Sequence, residues 1–524
     1  MAQYFLGLDS STQSLSAILI DLDIQKVVYE TSINYDQAFP HYTTQNGVLS
    51  NPDPKLVHTP PLMWAEALDL LFDQMRSDSV PLAEILAVSG SGQQHGSVYL
   101  TNKAPQIISN LNPSQTLVEN LDGIFSRPTS PIWMDSSTTT ECEEICTALG
   151  GLQPTTEATG STTFERFTGP QIRKFYKTEP DAYNNTAHIG LVSSFMASLL
   201  AGRISPIDHG DGAGMNLMDI QTRDWHTNAL NATAPDLTSR LPALAPAWTV
   251  VGPVSSYFTQ KYALNPEARA LVWSGDNPCS VIGLGLIREG MVAISLGTSD
   301  TYFGTMKQCR TDPHGEGHVF VSPTGGYMTL ICFKNGSLAR EQIRDAYNLN
   351  WDGFSNALQS TVPGNDGKIM LPYFEPEIVP NILDPGVRRF DLDESDAPGN
   401  CRAVVEAQMT SMRIHSEWMN VSPSAIYTTG GASENADILQ IMADVQNCPV
   451  HRFEVTNSAA LGAAIRAAHG FLLETGENPT WEALVSGLAE PVPNSKITPV
   501  PKTQKIYDKL IEKYATCEKE VTGR

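Results

Sequence analysis

Alternating apolar and polar stretches along the chain predict a repeated order of strands and helices. Three short apolar runs rich in β-branched residues open the chain, at Tyr4–Leu8, Leu15–Asp21 and Val27–Ile33. Polar turns separate them, so we expect three antiparallel strands. From Trp64–Met75 apolar side chains recur at helical spacing instead, and a short apolar strand, Ile85–Val88, follows.

The pattern becomes less regular before it restarts. Residues 101–130 are rich in Asn, Pro, Ser and Thr and predict an irregular segment. Further along, Ala187–Leu200 predicts a buried helix and Leu271–Ser274 a short strand. The antiparallel opening then recurs at Met291–Leu296, Thr301–Thr305 and Val319–Pro323. The chain is therefore expected to have two structurally similar halves, with a boundary near Leu286–Gly290.

The second half ends in helices. Ala425–Thr428 predicts a strand, and Ala436–Val445 has one apolar helical stripe. Ser458–His469 is an alanine-rich helix that Gly470 is expected to end, since glycine commonly terminates helices. A proline-rich linker and a last charged helix are predicted at Pro491–Pro501 and Thr503–Thr516.

Two polar turns, each between two apolar runs, carry the first chemical signal. Residues 7–14 are Gly-Leu-Asp-Ser-Ser-Thr-Gln-Ser, and residues 295–300 are Ser-Leu-Gly-Thr-Ser-Asp. Backbone N–H groups and hydroxyls at such turns can surround anionic oxygens. Either turn alone is more often an ordinary hairpin, but the pair suggests two halves that hold one polyphosphate. The Asp9 carboxylate suits a nucleotide-borne Mg²⁺, although for Asp9 alone an Asx turn would be the commoner explanation.

Three other positions have candidate chemistry and an ordinary structural alternative. Asp276 follows a short strand next to Gly275, where it could accept a proton from a substrate hydroxyl, or could be a solvated loop residue. His95 lies in a loop dense in hydrogen-bonding groups, where it could bind a polyhydroxylated ligand or serve only the fold. Gly430-Gly431, between a strand and a helix, could let a flat ring approach the backbone or allow tight packing.

Composition limits the class of protein. With 524 residues, 41% of them hydrophobic, the chain is long enough for two globular domains. Its net charge of −23 argues against non-specific nucleic-acid binding. No signal peptide or membrane-length apolar run is visible, and eight cysteines in so long a chain do not make a disulfide framework, so a cytoplasmic protein is expected. The P-loop and nucleophile-elbow motifs are absent, which disfavours a P-loop NTPase and a hydrolase of that type.

In their order along the chain, these stretches resemble the FGGY family of carbohydrate kinases, from Tyr4 to about Gly470. Besides the two turns, the resemblance rests on residues 91–97 (Ser-Gly-Gln-Gln-His-Gly-Ser), 133–138 (Trp-Met-Asp-Ser-Ser-Thr), 165–169 (Glu-Arg-Phe-Thr-Gly), 274–278 (Ser-Gly-Asp-Asn-Pro) and 429–433 (Thr-Gly-Gly-Ala-Ser). It implies an α/β fold of two ribonuclease-H-like, actin-like ATPase domains that flank a deep cleft. Residues 1–286 would be the sugar-binding domain, 287–485 the nucleotide-binding domain, and 486–524 the linker and last helix.

The resemblance also implies an activity and its residues. ATP, with Mg²⁺, would phosphorylate a sugar, and the stretches at 91–97 and 165–169 favour D-xylulose, giving D-xylulose 5-phosphate, over glycerol, gluconate or ribulose. Asp276 would be the catalytic base and Asp9 the metal-binding residue. The sugar-binding set would be His95, Arg166, Asp276 and Asn277. The nucleotide-binding set would be Asp9, Thr12, Gly297, Thr298, Trp351, Gly430, Gly431 and Asn435.

Two alternatives remain open at this point. One is a kinase of the same family that acts on ribulose or another pentulose. The other is a catalytically silent, actin-like nucleotide-binding protein, which would have no need to keep Asp276 in its motif. In each case the expected partners are small molecules, with no nucleic acid and no membrane, and the protein would be a monomer or homodimer.

Overall fold

Strands and helices alternate along the chain, as the apolar pattern predicts. The computed structural model describes residues 3–454 and 456–523. The strands are β1 (Tyr4–Ser10), β2 (Ser14–Asp21), β3 (Lys26–Asn34), β4 (His58–Thr59), β5 (Ile85–Gly92), β6 (Ser97–Leu100), β7 (Ser130–Pro131), β8 (His188–Leu191), β9 (Ile207–Asp208), β10 (Leu244–Ala245), β11 (Val250–Pro253), β12 (Arg269–Leu271), β13 (Ser274–Gly275), β14 (Met291–Leu296), β15 (Asp300–Met306), β16 (His318–Val321), β17 (Tyr327–Phe333), β18 (Ile369–Leu371), β19 (Arg388–Phe390), β20 (Ala425–Thr429) and β21 (Val450–Arg452).

The helices are α1 (Tyr35–Ala38), α2 (Pro61–Ser77), α3 (Ala104–Ser109), α4 (Leu117–Asn120), α5 (Thr139–Ala148), α6 (Leu152–Thr159), α7 (Thr168–Thr178), α8 (Pro180–Asn184), α9 (Val192–Ala201), α10 (His209–Gly212), α11 (Thr227–Thr233), α12 (Leu237–Arg240), α13 (Ser256–Tyr262), α14 (Asp276–Gly283), α15 (Ser337–Ala346), α16 (Trp351–Ser360), α17 (Ala397–His415), α18 (Ala436–Gln446), α19 (Ser458–Glu474), α20 (Trp481–Val485) and α21 (Gln504–Thr522). The predicted α/β class is confirmed by this alternation.

The chain divides into two compact units that do not follow chain order. The first unit comprises Met1–Ile287, Phe320–Tyr327 and Val455–Glu490. The second unit comprises Arg288–Val319, Met328–Glu454 and Pro491–Arg524. Helix α19 therefore belongs to the first unit, although it comes late in the sequence.

The first unit is organised on one mixed sheet in the order β11-β12-β5-β1-β2-β3, with β13 pairing to β5. At its centre, β1 is antiparallel to β2 and parallel to β5. Both central strands are almost wholly buried, which is typical of strands covered on both faces. Helix α19 packs against them and against α14.

The packing of α19 requires glycine at several close approaches. A Cβ on Gly7 of β1 would lie 2.0 Å from the Ala460 carbonyl oxygen, and one on Gly283 would lie 1.9 Å from that of Ser458. Within α19 itself, a Cβ on Gly462 would lie 1.8 Å from the Cys279 carbonyl oxygen. Backbone atoms cannot move aside as a flexible side chain can, so these glycines set how closely α19 lies to the sheet and to α14.

The second unit repeats the opening of the first. Its sheet has the order β16-β17-β15-β14-β20-β21, in which β14 is antiparallel to β15 and parallel to β20. The turn between β14 and β15 is the second of the two polar turns. Helix α17 is buried over most of its length, and α21 packs against α17 and α18.

Four predicted elements differ from the structure in instructive ways. The helix predicted at Ala187–Leu200 is wrong in its first part, because β8 pairs with β6 there and α9 begins only at Val192. The segment 101–130 is not wholly irregular, since it contains α3 and α4, the latter begun by a capping box at Thr116.

The other two differences concern Gly470 and the strand predicted at Leu271–Ser274. Gly470 does not end α19, which continues to Glu474; a Cβ there would lie 2.3 Å from Leu271 Cδ2 and 2.8 Å from the Trp248 carbonyl oxygen. This glycine serves close contact rather than helix termination. The strand predicted at Leu271–Ser274 is two strands, β12 and β13, that both pair with β5 and are interrupted between Leu271 and Ser274.

No helix within residues 3–454 and 456–523 is long and apolar enough to cross a membrane.

We predict that Gly462→Ala destabilises the protein by about 3 kcal/mol, at the upper end of the range for overpacking. The added methyl group would meet the Cys279 carbonyl oxygen at 1.8 Å. Thermal and urea unfolding of the purified variant measure the effect. Gly431→Ala is the matched control, because no atom lies within 4 Å of a Cβ at that position. Equal stability of the two variants would contradict this account of the α19 contact.

Candidate active site

Three loops with predicted functional residues leave the first sheet at the same edge. In the parallel pairing of β1 with β5, Asp9 lies opposite Ser91, and in that of β13 with β5, Gly275 lies opposite Gly92. Asp9 near the end of β1, His95 after β5 and Asp276 after β13 therefore lie at the same edge. Ligands in sheets of this kind bind at the carboxyl ends of parallel strands.

Asp9 is a buried carboxylate with little hydrogen bonding to compensate for its removal from water. Its side chain is 8% exposed, and Oδ1 accepts a hydrogen bond from the Ser91 hydroxyl at 2.6 Å. Burial raises the pKa of Asp9 to about 7, the hydroxyl of Ser91 opposes the rise, and the nearby Asp276 carboxylate adds to it. A cation next to Asp9 would relieve this cost, so the residue suits a divalent metal ion.

The described residues contain no group of three or more His, Cys, Asp or Glu side chains that could hold a metal ion. A cation at Asp9 would take its further ligands from water or from a bound molecule. Thr12 lies in the turn that follows. Its hydroxyl accepts a hydrogen bond from Trp133 Nε1 at 2.8 Å, which leaves its proton available to another acceptor.

His95 has a strained backbone and one fixed tautomer. Its φ of 73° is in the left-handed region, which residues other than glycine rarely adopt. Such residues cluster at functional sites. Its ring stacks on Phe167 with centroids 4.3 Å apart. Nδ1 lies 2.7 Å from the Gly214 carbonyl oxygen, and because a carbonyl only accepts, Nδ1 carries the proton.

The charge state of His95 decides what its other nitrogen can do. Burial, and then the positive charge of Arg166, lower the pKa of His95 to about 3. The imidazole is therefore neutral, and Nε2 is an acceptor suited to a hydroxyl group. The Arg166 guanidinium lies over the Phe164 ring, 5.3 Å from its centroid. The structure thus brings His95 and Arg166 together, as the sequence predicts for a sugar-binding pair.

Asp276 begins α14, with Asn277 beside it. Burial raises the pKa of Asp276 to about 6, against backbone N–H groups of Asn277, Gln94 and Asp276 itself that favour the ionised form. Asn277 Nδ2 donates to Asp276 Oδ1 at 3.2 Å and to Gln94 Oε1 at 2.8 Å. The residue is half-buried, so a ligand can reach it, and its raised pKa lies near neutral pH, as a general base requires.

Two polar residues at this edge were not predicted. Gln94 and Asp211 are both buried, and Gln94 Nε2 and Asp211 Oδ1 have no hydrogen-bond partner. Burial and the carboxylates of Asp208 and Asp276 raise the pKa of Asp211 well above its ordinary value. Gln94 stands in the loop that indicated His95, whereas no spacing in the sequence marks Asp211. Unpartnered buried polar atoms are rare and often mark a ligand site.

The second unit has a cavity of about 590 Å³. The walls include Trp351, Gly431 and Asn435, three of the residues predicted to bind nucleotide. They also include residues not predicted, namely Ser337, Glu341, Asp352, Ser355, Ala432, Glu434, Ala436, Asp437 and Ile438. The volume lies in the range of sites for molecules the size of a nucleoside.

The cavity presents a flat aromatic wall and an open backbone. Trp351 is 41% exposed, and the Arg344 guanidinium lies 4.5 Å from its ring centroid, which holds the indole in place. Nothing lies within 4 Å of a Cβ built on Gly431. Asn435 accepts from two backbone N–H groups at the start of α18 and donates to the Ser355 hydroxyl at 2.7 Å.

The remaining predicted residues lie around the second polar turn. Gly430 has a φ of 86°, and a Cβ there would lie 2.5 Å from the Leu296 carbonyl oxygen, so the position requires glycine. Gly297 accepts from the backbone N–H of Ser337, which also lines the cavity, and Thr298 is exposed. The turn and the cavity are thereby connected through Ser337.

Together these features define a class of protein: an α/β enzyme with a candidate base among buried polar groups, and a cavity of nucleoside size. Family models agree with that class. The N-terminal domain of the FGGY family of carbohydrate kinases matches residues 128–283, and its C-terminal domain matches residues 292–471. The chain belongs to the FGGY family of carbohydrate kinases.

Curated relatives are similar over nearly the whole chain. A xylulose kinase of Rattus norvegicus is 42% identical over 530 residues, which cover 99% of this chain and 97% of the relative. Xylulose kinase 2 of Arabidopsis thaliana is 44% identical over 489 residues, which cover 89% of this chain and 87% of the relative.

Solved structures have the same fold at low sequence identity. A xylulose kinase from Rhodospirillum rubrum gives a TM-score of 0.81 at 20% identity, covering 98% of both chains. Plasmodium falciparum glycerol kinase with ADP gives 0.74 at 16% identity, again with 98% coverage of each. The predicted two-domain fold and the prediction of a sugar kinase are confirmed. Membership of this kinase family implies ATP as the phosphoryl donor and a divalent metal ion.

We predict that Asp9→Asn stabilises the ligand-free, metal-free protein. Because the folded pKa of Asp9 is raised from 3.8 to about 7, folding costs free energy once pH exceeds the unfolded value, and each unit of pKa is worth about 1.4 kcal/mol. The neutral amide avoids that cost. Melting temperatures measured in EDTA are expected to be higher for the variant near about pH 8 and to converge towards about pH 4. A variant that melts lower than wild type near the higher pH would contradict this assignment.

Proposed function

We propose that this chain transfers the γ-phosphoryl group of ATP to D-xylulose, giving D-xylulose 5-phosphate. The choice of sugar is supported by the relatives that are named xylulose kinases and cover nearly the whole chain. The observation that carries the chemistry is the half-buried Asp276, whose pKa is raised to about 6 beside buried polar side chains.

Asp276 is the general base of the proposed reaction. It accepts the proton of the terminal hydroxyl while that oxygen attacks the γ-phosphorus, and ADP leaves with the bond electrons. A base with a pKa near 6 is mostly ionised at neutral pH yet still takes up a proton readily. Asn277 holds one carboxylate oxygen by its backbone N–H at 2.8 Å and by its side chain, which fixes the direction of the other.

The sugar is bound by His95, Arg166, Asp276 and Asn277. His95 Nε2 accepts from one hydroxyl, and Arg166 donates to another sugar oxygen. Such directional contacts position the reacting hydroxyl, and positioning supplies much of the acceleration in phosphoryl transfer.

The nucleotide is bound by the cavity of the second unit. Trp351 packs on the adenine, Gly430 and Gly431 allow its close approach, and Asn435 also lines the cavity. The turns with Thr12, Gly297 and Thr298 bind phosphate oxygens through hydroxyls and backbone N–H groups. Asp9 contributes to the Mg²⁺ site, and when bound, Mg²⁺ neutralises charge on the phosphates.

We predict that Asp276→Asn lowers kcat by about 10²- to 10⁴-fold, because it removes the base and keeps the shape of the side chain. Calorimetry is expected to find xylulose and ADP binding within about threefold of wild type. In the wild-type enzyme, kcat/KM is expected to fall about tenfold per pH unit below about pH 6, where Asp276 becomes protonated.

A panel of sugars in a coupled ADP-release assay tests the acceptor. Xylulose should be phosphorylated with a higher kcat/KM than ribulose, gluconate or glycerol. Turnover of xylulose by purified Asp276→Asn at the wild-type rate would overturn the role of the base. A higher kcat/KM for ribulose would overturn the choice of sugar and leave the base assignment intact.

We predict that Trp351→Ala raises the dissociation constant of ADP about tenfold, the loss expected for one aromatic stacking contact with the area it buries. Xylulose binding measured without nucleotide is expected to stay unchanged. Leu152→Ala is a control expected to leave ADP affinity unchanged, since that apolar side chain is similarly exposed, at 43%, but lies in α6 of the first unit, outside the proposed sites. Unchanged ADP affinity in Trp351→Ala would contradict the assignment of the cavity.

A further inference from the structure

The side-chain amide of Gln94 is a buried donor without an acceptor. The residue is 2% exposed, and Nε2 has no hydrogen-bond partner. The orientation of the amide is fixed by its neighbour. Asn277 Nδ2 donates both to the Asp276 carboxylate and to Gln94, so the Gln94 atom that faces Asn277 is the acceptor Oε1. Nε2, with its two protons, is turned away from Asn277.

Gln94 contacts the groups that the proposed function assigns to sugar binding and catalysis. Its backbone N–H donates to Asp276. A Cβ on Gly214 would lie 3.1 Å from Gln94 Nε2 and 2.9 Å from His95 Nδ1, so the amide and the imidazole adjoin the same glycine. On another side, a Cβ on Gly275 would lie 3.0 Å from Gln94 Cγ. Glycine at both positions avoids a close contact with the amide, and Asp211 Oδ1 adjoins Gly275 too, 3.0 Å from a Cβ there.

Two of the groups that the proposed function assigns to the sugar, His95 and Asp276, offer acceptor atoms near this amide. Neutral His95 offers the bare Nε2, and ionised Asp276 offers carboxylate oxygens. Both suit hydroxyl groups, which can donate to them. A ketone oxygen has no proton and can only accept, so it cannot bind to either group. It requires an N–H, and a buried N–H without a partner gains most from such an oxygen.

We propose that Gln94 Nε2 donates to the ketone oxygen of an open-chain ketose, and that this hydrogen bond makes the kinase select ketoses over the corresponding sugar alcohols. The inference rests on the proposed function, since it concerns the same sugar site. Gln94 is a specificity-determining residue in this account, while Asp276 remains the base.

The test compares two ligands that differ at one carbon. Xylulose has a ketone where xylitol has an alcohol, which can donate as well as accept. Gln94→Glu keeps the acceptor that faces Asn277 and replaces the N–H donors with a second carboxylate oxygen. Dissociation constants for both compounds are measured by calorimetry on wild type and variant, without nucleotide.

We expect Gln94→Glu to weaken xylulose binding about 10- to 100-fold and to weaken xylitol binding much less, because the alcohol can donate to the new carboxylate. The preference for the ketose should fall by at least about tenfold. An unchanged ratio of the two dissociation constants would overturn the inference. Failure of the wild-type enzyme to phosphorylate xylulose would overturn the proposed function and this inference with it.

Two further variants separate recognition from folding. Gln94→Met has a similar shape and no charge; it should lose xylulose affinity to a similar extent and keep the KM for ATP. Gln446→Glu alters another buried amide, which donates to the Met409 carbonyl oxygen at 2.9 Å in the second unit. That control is expected to lower the melting temperature and leave the xylulose-to-xylitol ratio unchanged. A ratio that shifts equally in the control would mean that the effect is one of folding, and would overturn the role of Gln94.

Discussion

The site depends on two carboxylates, one buried and one half-buried, at one edge of the first sheet. Asp9 lies near the end of β1 and Asp276 directly follows β13, and both of these strands pair with β5. Burial raises the pKa of both carboxyl groups towards neutrality. Removal of a carboxylate from water is costly unless a cation or hydrogen-bond donors replace the water. In the protein alone, Ser91 and a few backbone N–H groups replace only part of it. A metal ion and a polyhydroxylated ligand would replace the remaining interactions with water, and this gain would contribute to the free energy of binding.

The buried side chain of Arg466 in α19 forms hydrogen bonds near the same edge of the sheet. Its guanidinium donates to the carbonyl oxygens of Gly90, Ala247 and Val272, and lies 4.0 Å from Asp208 Oδ2. Asp208 in turn accepts from the Ser274 hydroxyl, immediately before Gly275 and Asp276. One charged side chain thus connects β5, the segment before β13, and α19. The glycine contacts that bring α19 close to the sheet are therefore also a condition for the position of the base.

The amino-acid sequence was most informative where function requires a local pattern. The two polar turns, Asp276 beside Gly275, and the glycines before α18 could be found because hairpins and close backbone approaches need particular residue types in sequence. Asp211 could not be found in this way, since its significance comes from Ser193, Gly275 and Gln94, which are distant in the chain. Nor does the sequence mark the return of α19 to the first unit; its alanine-rich pattern predicts a helix but not what it packs against.

Predictions from local patterns were wrong where packing decides the structure. Gly470 resembles a helix end, but the contact with Leu271 and Trp248 makes glycine necessary inside α19. Asp300 belongs to the second polar turn by its sequence, yet it begins β15 and is fully buried in an ion pair with Arg340 at 2.8 Å. In both cases a residue type typical of turns is used for a tertiary contact.

A crystal structure of the protein with xylulose and a non-hydrolysable ATP analogue tests the central claim most directly. The account predicts that a sugar hydroxyl lies within hydrogen-bond distance of the Asp276 carboxylate, with His95 and Arg166 in contact with the same molecule. It also predicts the adenine beside Trp351 and Gly431. Xylulose bound away from Asp276 and His95, with those side chains unchanged in their contacts, would contradict the account.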